Sequence, residues 1–255
     1  MTHRILILGG TIEARLLAGK LSERAEFDVT LSLAGRTEKP VDHPVPVRSG
    51  GFGGADGLAT YLQTEKIDLL IDATHPYAAQ ISRNAAEASR ISDVPIIALR
   101  RPAWEQVQGD RWTLVDDASG AIEALGDAPR HAFLALGRQE VAQFSQAPQH
   151  SYVIRSVDPI EPPLNVPNAE YILDRGPFQE AVELTLLKGR GIDAIVAKNS
   201  GGSATYGKIA AARLLGISVI LFRRPDLPET PSGKNVAEVM ALIDHAFGPA
   251  KKRGV

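Results

Sequence analysis

Three short polar runs follow apolar segments in this chain, and each holds residue types that do chemistry. Lys198-Asn199-Ser200-Gly201-Gly202, continuing to Thr205-Tyr206, leaves the apolar run Ile192–Ala197. A lysine at the end of a buried strand is partly desolvated and suited to acid–base work or anion binding; a lysine snorkelling to solvent is the plain alternative. Asp72-Ala73-Thr74-His75-Pro76-Tyr77-Ala78 leaves Ile67–Ile71. His75 could orient or protonate a ligand there, and Pro76 restrains it to an extended backbone, although a lone histidine is more often structural. Leu8-Gly9-Gly10-Thr11-Ile12-Glu13-Ala14-Arg15 leaves the run Arg4–Leu8. Free backbone N–H groups at the start of a helix suit a phosphate. The run departs from G-x-G-x-x-G, with Thr11 at the second glycine position and Ala14 at the third, so a tight turn weighs equally.

Two further runs extend this pattern. Ser32-Leu33-Ala34-Gly35-Arg36-Thr37 ends an alternating stretch, and it lacks the acidic residue that binds ribose hydroxyls in NAD-specific sites. Arg36 there can grip a 2′-phosphate through two N–H groups, which points to NADPH. Arg48-Ser49-Gly50-Gly51-Phe52-Gly53-Gly54 sets four glycines around one aromatic ring, suited to close backbone approach or to a flexible loop. Arg100, Arg101, Arg138, Arg155, Arg175, Arg223 and Arg224 recur at expected strand ends. If several converge, they suit a ligand with many carboxylates; otherwise they are surface residues.

Other chemistries are set aside by composition. The 255 residues include no cysteine, which removes disulfides, thiolate metal sites and a cysteine nucleophile. Six histidines with no H-x-x-x-H pair argue against a metal site. A net charge of -2 gives no bulk field for nucleic acid or membrane, and no apolar run approaches the roughly 18 residues of a membrane span. Tyr206 and Lys208 form Tyr-x-Lys, not the Tyr-x-x-x-Lys of short-chain dehydrogenases, and the P-loop pattern is absent. A cytoplasmic monomer acting on a small molecule is expected.

The elements that position these runs repeat. Ile67 to Pro102 reads strand, loop, Ala-rich helix, strand, Arg-Arg-Pro, and Ile192 to Pro225 reads the same with a different loop. Strands are expected at 4–8, 27–33, 131–136, 152–155 and 171–174 and more weakly at 45–48, with helices at 12–21, 58–66, 78–92, 118–125 and 179–188 and a closing helix at 235–247. Strands alternating with helices imply α/β architecture with mostly parallel sheets covered on both faces. The expected division is 1–112 and 113–255, with 102–117 as the link. Similar sheets offer similar edges, so terminal strands can pair into the other domain's sheet. Ligands in such sheets bind at the carboxyl ends of the strands.

Taken together and in order, these segments resemble the precorrin-6A reductase family of cobalamin biosynthesis. The carriers are Gly9-Gly10-Thr11-x-Glu13-Ala14-Arg15, Ala34-Gly35-Arg36, Gly51-Phe52-Gly53-Gly54, Asp72 to Ala78, Gly137-Arg138-Gln139-Glu140, Arg175-Gly176-Pro177-Phe178, and Lys198 to Gly202 with Thr205-Tyr206. The resemblance implies two Rossmann-like domains with an interdomain cleft, an NADPH cofactor, and reduction of a double bond in ring D of a polycarboxylate macrocycle, giving precorrin-6B. It implies cofactor contacts from Gly10, Thr11, Glu13, Ser32, Gly35, Arg36, Gly51, Phe52, Gly53 and Thr74. Substrate contacts would come from Arg15, Arg138, Lys198, Asn199, Ser200, Gly201 and Thr205, with Lys198, Tyr77 and His75 as the catalytic candidates. The family takes metal-free or cobalt-containing substrate, and the metal-free form is favoured. A twin-Rossmann transferase and a non-catalytic NADPH sensor are the competing classes.

Overall fold

The computed structural model describes residues 2–35 and 42–248. Along the chain the elements are β1 (His3–Leu8), α1 (Ile12–Ser22), β2 (Phe27–Leu33), β3 (Val47–Ser49), α2 (Ala55–Thr64), β4 (Leu69–Asp72), α3 (Ala79–Ser92), β5 (Ile96–Leu99), β6 (Trp112–Val115), α4 (Ala118–Leu125), β7 (His131–Ala135), α5 (Arg138–Val141), β8 (Ser151–Ser156), β9 (Ala169–Leu173), α6 (Glu180–Gly189), β10 (Ala194–Lys198), α7 (Gly207–Leu215), β11 (Ser218–Phe222), β12 (Ser232–Gly233) and α8 (Val236–Phe247). A 3₁₀ turn over Ala142–Gln146 follows α5.

The strands form two six-stranded sheets, ordered β12-β5-β4-β1-β2-β3 and β6-β11-β10-β7-β8-β9. Every pairing is parallel. The two orders correspond strand for strand: β1 with β7, β2 with β8, β3 with β9, β4 with β10, β5 with β11, and β12 with β6. The repeat in the sequence is therefore a repeat of the whole sheet. The fold is α/β with two parallel sheets, each flanked by helices.

In the first sheet the period of two along each strand sorts side chains to opposite faces. Ile5, Ile7, Leu69 and Ile71 pack with Leu17 and Leu21 of α1 and Val239 and Ile243 of α8. Leu6, Leu8 and Leu70 pack with Leu58 and Leu62 of α2 and Ala85 and Ala88 of α3. Both faces are covered, so these strands read as unbroken apolar runs. In the second sheet Phe133, Val153, Ile195 and Leu221 pack with Leu187 of α6 and Ile209 and Ala212 of α7.

The compact units differ from the expected division at 112. One unit is Pro102–Arg224; the other holds the described residues of Met1–Arg101 and Pro225–Val255. Backbone pairing explains the difference. After β5 the chain enters the second sheet as β6, where Val219 N–H donates to Arg111 O (2.8 Å) and Arg223 N–H to Val115 O (2.7 Å). After β11 it returns to the first sheet as β12, where Ala98 N–H donates to Pro231 O (2.8 Å) and Arg100 N–H to Gly233 O (2.9 Å). The strand that follows each Arg-Arg-Pro thus forms an edge of the other unit's sheet. Residues 102–117, expected as a link, belong to the second unit.

Candidate active site

In the first unit a cavity of about 190 Å³ opens at the carboxyl ends of β1 to β4, lined by Gly9, Ser32, Ala34, Gly50 to Gly54 and Thr74, with Leu58 of α2 and Ile81 and Asn84 of α3 as its floor. Its rim depends on glycine. Gly50, Gly53 and Gly54 have φ of 104°, 82° and 96°, in the left-handed region that favours glycine, and a Cβ at any of them would meet nothing within 4 Å. These residues leave open space beside exposed backbone. A Cβ at Gly9 would instead stand 2.6 Å from Leu31 Cδ1, so that glycine serves close packing on β2.

Thr11 caps α1. Its Oγ1 accepts from Ala14 N–H at 3.1 Å and donates to Ala73 O at 2.9 Å, tying the turn after β1 to the loop after β4. The Glu13 carboxylate pairs with Arg101 at 2.5 Å. Both side chains are therefore engaged within the unit, and what this turn offers a ligand is backbone N–H. Ser32 is buried on the cavity wall, and Gly35 (φ 70°) lies 3.5 Å, at its Cβ position, from Gly50 N. Arg36, the expected 2′-phosphate residue, lies outside the described residues. Phe52 is clamped: the Arg48 guanidinium stands 3.7 Å over its ring and Tyr61 meets it edge-on at 5.1 Å. Arg48 also donates to the carbonyls of Gly50 and Gly51, fixing the glycine loop. Arg48 stands two residues before the glycines, which is the only sign of this role in the sequence.

The loop after β4 hangs from Asp72, which is fully buried. Its Oδ1 accepts from Thr74 N–H (3.1 Å) and Thr74 Oγ1–H (2.7 Å), and its Oδ2 from Arg100 at 2.6 Å. Burial alone would raise this carboxyl, but the charge and hydrogen bond of Arg100, aided by Thr74, hold it net below the ordinary carboxylate value. Thr74 lines the cavity with its hydroxyl turned to Asp72. His75 Nδ1 accepts from Tyr77 N–H at 3.3 Å, leaving the proton of the neutral ring on Nε2, and the two rings lie 5.7 Å apart. The structure brings Gly51, Phe52, Gly53, Ser32 and Thr74 to one cavity; His75 and Tyr77 are in the adjoining turn, and Arg15 is exposed on α1.

In the second unit the loop after β10 carries the expected substrate residues. Lys198 Nζ pairs with Glu140 Oε1 of α5 at 2.5 Å, both partly exposed. Asn199 is buried, and its amide makes two bonds with one residue: Oδ1 accepts from Trp104 N–H (2.8 Å) and Nδ2 donates to Trp104 O (2.9 Å). Trp104 Nε1–H donates to Gly202 O at 2.7 Å. A Cβ at Gly201 would stand 2.1 Å from Pro102 O and 2.3 Å from an Arg224 nitrogen, so this glycine answers to packing. Asn199 and Gly201, expected as substrate contacts, thus staple the loop to residues 102–104. Ser200 N–H donates to Lys198 O at 2.8 Å, and Thr205 O accepts from Lys208 Nζ at 2.7 Å.

Lys208 forms no recognised motif with Tyr206. It is 4% exposed, with its Nζ 5.0 Å above the Trp104 ring. Burial and the nearby Arg155 push it down to about 7, against a smaller opposite effect of Glu183. Arg155 and Glu183 form a buried two-bond ion pair at 2.5 and 2.7 Å, with Arg155 also 3.6 Å over Phe178. Most of the strand-end arginines have acceptors within the protein. Arg100, Arg101, Arg155 and Arg223 pair with Asp72, Glu13, Glu183 and Asp116, and Arg224 donates to Asn199 O. Arg138 and Arg175 are exposed.

The first unit's cavity presents glycine backbone after β1 and β3 and no acidic side chain among its lining residues, a lining that suits a phosphate-bearing ligand. Among the described residues no cluster suits a metal ion, and no helix is long and apolar enough to cross a membrane.

Comparison with known proteins agrees with this arrangement. The family model described as precorrin-6x reductase CbiJ/CobK matches residues 4–244. A protein of Sinorhizobium sp named precorrin-6A reductase is 59% identical over 97% of this chain and 95% of its own length. A solved structure named CobK precorrin-6A reductase superposes with a TM-score of 0.92 at 44% identity, covering 100% of both chains. A Priestia megaterium protein named cobalt-precorrin-6A reductase is 27% identical over 88% of this chain and 91% of its own. With its glycine-lined cavity, its twin parallel sheets and a match over nearly the whole chain, this protein belongs to the precorrin-6x reductase CbiJ/CobK family.

Proposed function

We propose that the protein reduces precorrin-6A to precorrin-6B in cobalamin biosynthesis with NADPH as hydride donor. The observation that carries the reading is the glycine-lined cavity at the ends of β1 to β4 in a chain of this family. The identity of 59% to a precorrin-6A reductase against 27% to a cobalt-precorrin-6A reductase supports the metal-free substrate. The working form is taken to be a cytoplasmic monomer of 27.3 kDa, and a larger sedimenting species would correct that part.

Gly10, Gly50 and Gly53 would offer backbone to the cofactor phosphates, with Thr11 and Glu13 shaping the first turn. Ser32, Gly35 and Arg36 would hold the adenosine end, Arg36 taking the 2′-phosphate. Phe52 and Gly51 would line the cavity, and Thr74, His75 and Tyr77 would face the nicotinamide end. When bound, the nicotinamide supplies a hydride to the ring D carbon at the direct link to ring A. The neighbouring carbon then needs a proton, and Lys198 Nζ is the donor this reading assigns. Glu140 at 2.5 Å holds the Lys198 side chain in place at the end of β10. Most of the rate is expected from placing the two reacting carbons together.

The test is turnover of precorrin-6A with NADPH and with NADH. Strong preference for NADPH that is lost in Arg36→Ala supports the cofactor assignment; equal losses for both cofactors remove the 2′-phosphate role. Lys198→Ala should lower turnover, and unchanged kinetics would take Lys198 out of the site.

A further inference from the structure

We propose that Arg138 and Arg175 form a two-point carboxylate subsite for the substrate, which makes Arg175 a substrate-binding residue of this enzyme. The inference rests on the macrocycle reading above and adds to it.

Pro102–Arg224 contains nine arginines. Seven of them have acceptors on the protein. Arg130, Arg155, Arg190, Arg213 and Arg223 pair with Asp193, Glu183, Glu170, Asp110 and Asp116. Arg111 and Arg224 donate to backbone carbonyls. Only Arg138 and Arg175 extend exposed guanidinium groups with no acceptor among the described residues. Asp174, the nearest carboxylate in sequence to Arg175, accepts from the Arg175 backbone N–H at 2.8 Å rather than from its side chain.

Their placement is the second observation. Arg138 follows the carboxyl end of β7 and Arg175 the carboxyl end of β9. By the correspondence of the two sheets, these are the strand ends that in the first unit carry Gly9 and Gly50–Gly51 of the glycine cavity. The same two positions hold bare backbone in one unit and free cations in the other. Backbone N–H suits bridged phosphates; a guanidinium fork suits carboxylates, which it can bind through two N–H groups. Strands lie about 4.8 Å apart, so ends two strands apart are separated by roughly 10 Å. Two guanidinium forks rising from ends that far apart can reach two carboxylates on one large ring.

The turn bearing Arg175 is also docked on the loop that carries Lys198 to Thr205. Phe178 N–H donates to Ala204 O at 2.9 Å, and a Cβ at Gly176 would stand 3.4 Å from the same oxygen. Arg175 is thus held beside the loop already assigned to substrate, and Arg138 begins the helix whose Glu140 pairs with Lys198.

The experiment compares Arg175→Gln, Arg138→Gln, Arg175→Lys and the control Arg223→Gln by steady-state kinetics with precorrin-6A and by absorbance titration of the macrocycle. Loss of a hydrogen bond to a charged group predicts a KM for precorrin-6A raised roughly tenfold to a hundredfold in each Gln variant. The KM for NADPH and the melting temperature should stay unchanged. Arg175→Lys should recover part of the loss, because a point charge keeps attraction without the fork. Arg223→Gln, already paired with Asp116, should match wild type. A macrocycle KM in Arg175→Gln within about twofold of wild type overturns the subsite while leaving the reductase reading intact. So does a fall in kcat and melting temperature at unchanged KM, which would make Arg175 structural. Wild-type protein that neither binds nor reduces precorrin-6A overturns the parent reading, and this inference with it.

Discussion

Lys208 should make this protein's stability depend on pH in a way that one substitution removes. The amine is 4% exposed and lies in a cluster with two cations, itself and Arg155, and one anion, Glu183. In the folded state it titrates near 7, against 10.5 for a free lysine. A lowered lysine pKa means that folding must strip or desolvate a proton that the unfolded chain keeps. The penalty is fully present below pH 7, fades as pH rises toward 10.5, and is absent above it. Integrated between pH 7.5 and 9.5, this group alone should add about 2–3 kcal/mol to the stability of the wild type. Lys208→Met keeps the length of the side chain and removes the proton. Urea unfolding of both proteins at the two pH values gives the comparison, and other titrating groups cancel in the difference. The wild type should gain about 2–3 kcal/mol more than Lys208→Met over this interval. The same pH response in both would refute the claim that this lysine is buried against an excess of positive charge.

Glu183→Gln leaves Arg155 and Lys208 buried without their anion, so it should cost about 3–5 kcal/mol and lower the melting temperature by roughly 6–20 °C; a melt within about 2 °C of wild type would contradict the buried pairing. Gly201→Ala pushes a methyl against Pro102 O and Arg224, and it should displace the loop after β10, seen as a rise in the KM for the macrocycle with unchanged NADPH affinity. Thr11→Ala removes a helix cap and the link to Ala73, for which about 1–2 kcal/mol of stability should be lost together with NADPH affinity, both measured by thermal shift with and without cofactor.

Much of the fold was legible because both sheets are covered on both faces, so Ile5 to Leu8 or Ala194 to Ala197 stand out as unbroken apolar runs, and the alternating helices follow from their spacing. The edges were not. β12 is two residues, Ser232 and Gly233, with no pattern of its own; it exists because its backbone pairs with Ala98 and Leu99. β6 is partly exposed along its length and reads as a linker until β11 is placed beside it. The boundary at 112 failed for the same reason, since membership of a sheet is decided by pairing rather than by order in the chain. The glycine runs located the cavity because close backbone approach leaves a mark in composition. Side-chain roles left no such mark. Whether Arg100 faces a ligand or Asp72, 28 residues away, and whether Asn199 faces a substrate or Trp104, 95 residues away, depends on contacts that no local pattern encodes. Lys208 follows a glycine in an ordinary helix start, and its burial is a tertiary fact.

The cavity of the first unit is proposed to hold NADPH for reduction of the macrocycle. A stopped-flow measurement tests it most directly: premixed protein and NADPH are combined with precorrin-6A, and cofactor absorbance is followed alongside the macrocycle spectrum. NADPH should be lost in step with the appearance of precorrin-6B, and deuterium from 4-deuterated NADPH should appear at the ring D carbon. Reduction that proceeds without consuming NADPH, or cofactor loss with no label in the macrocycle, would contradict it.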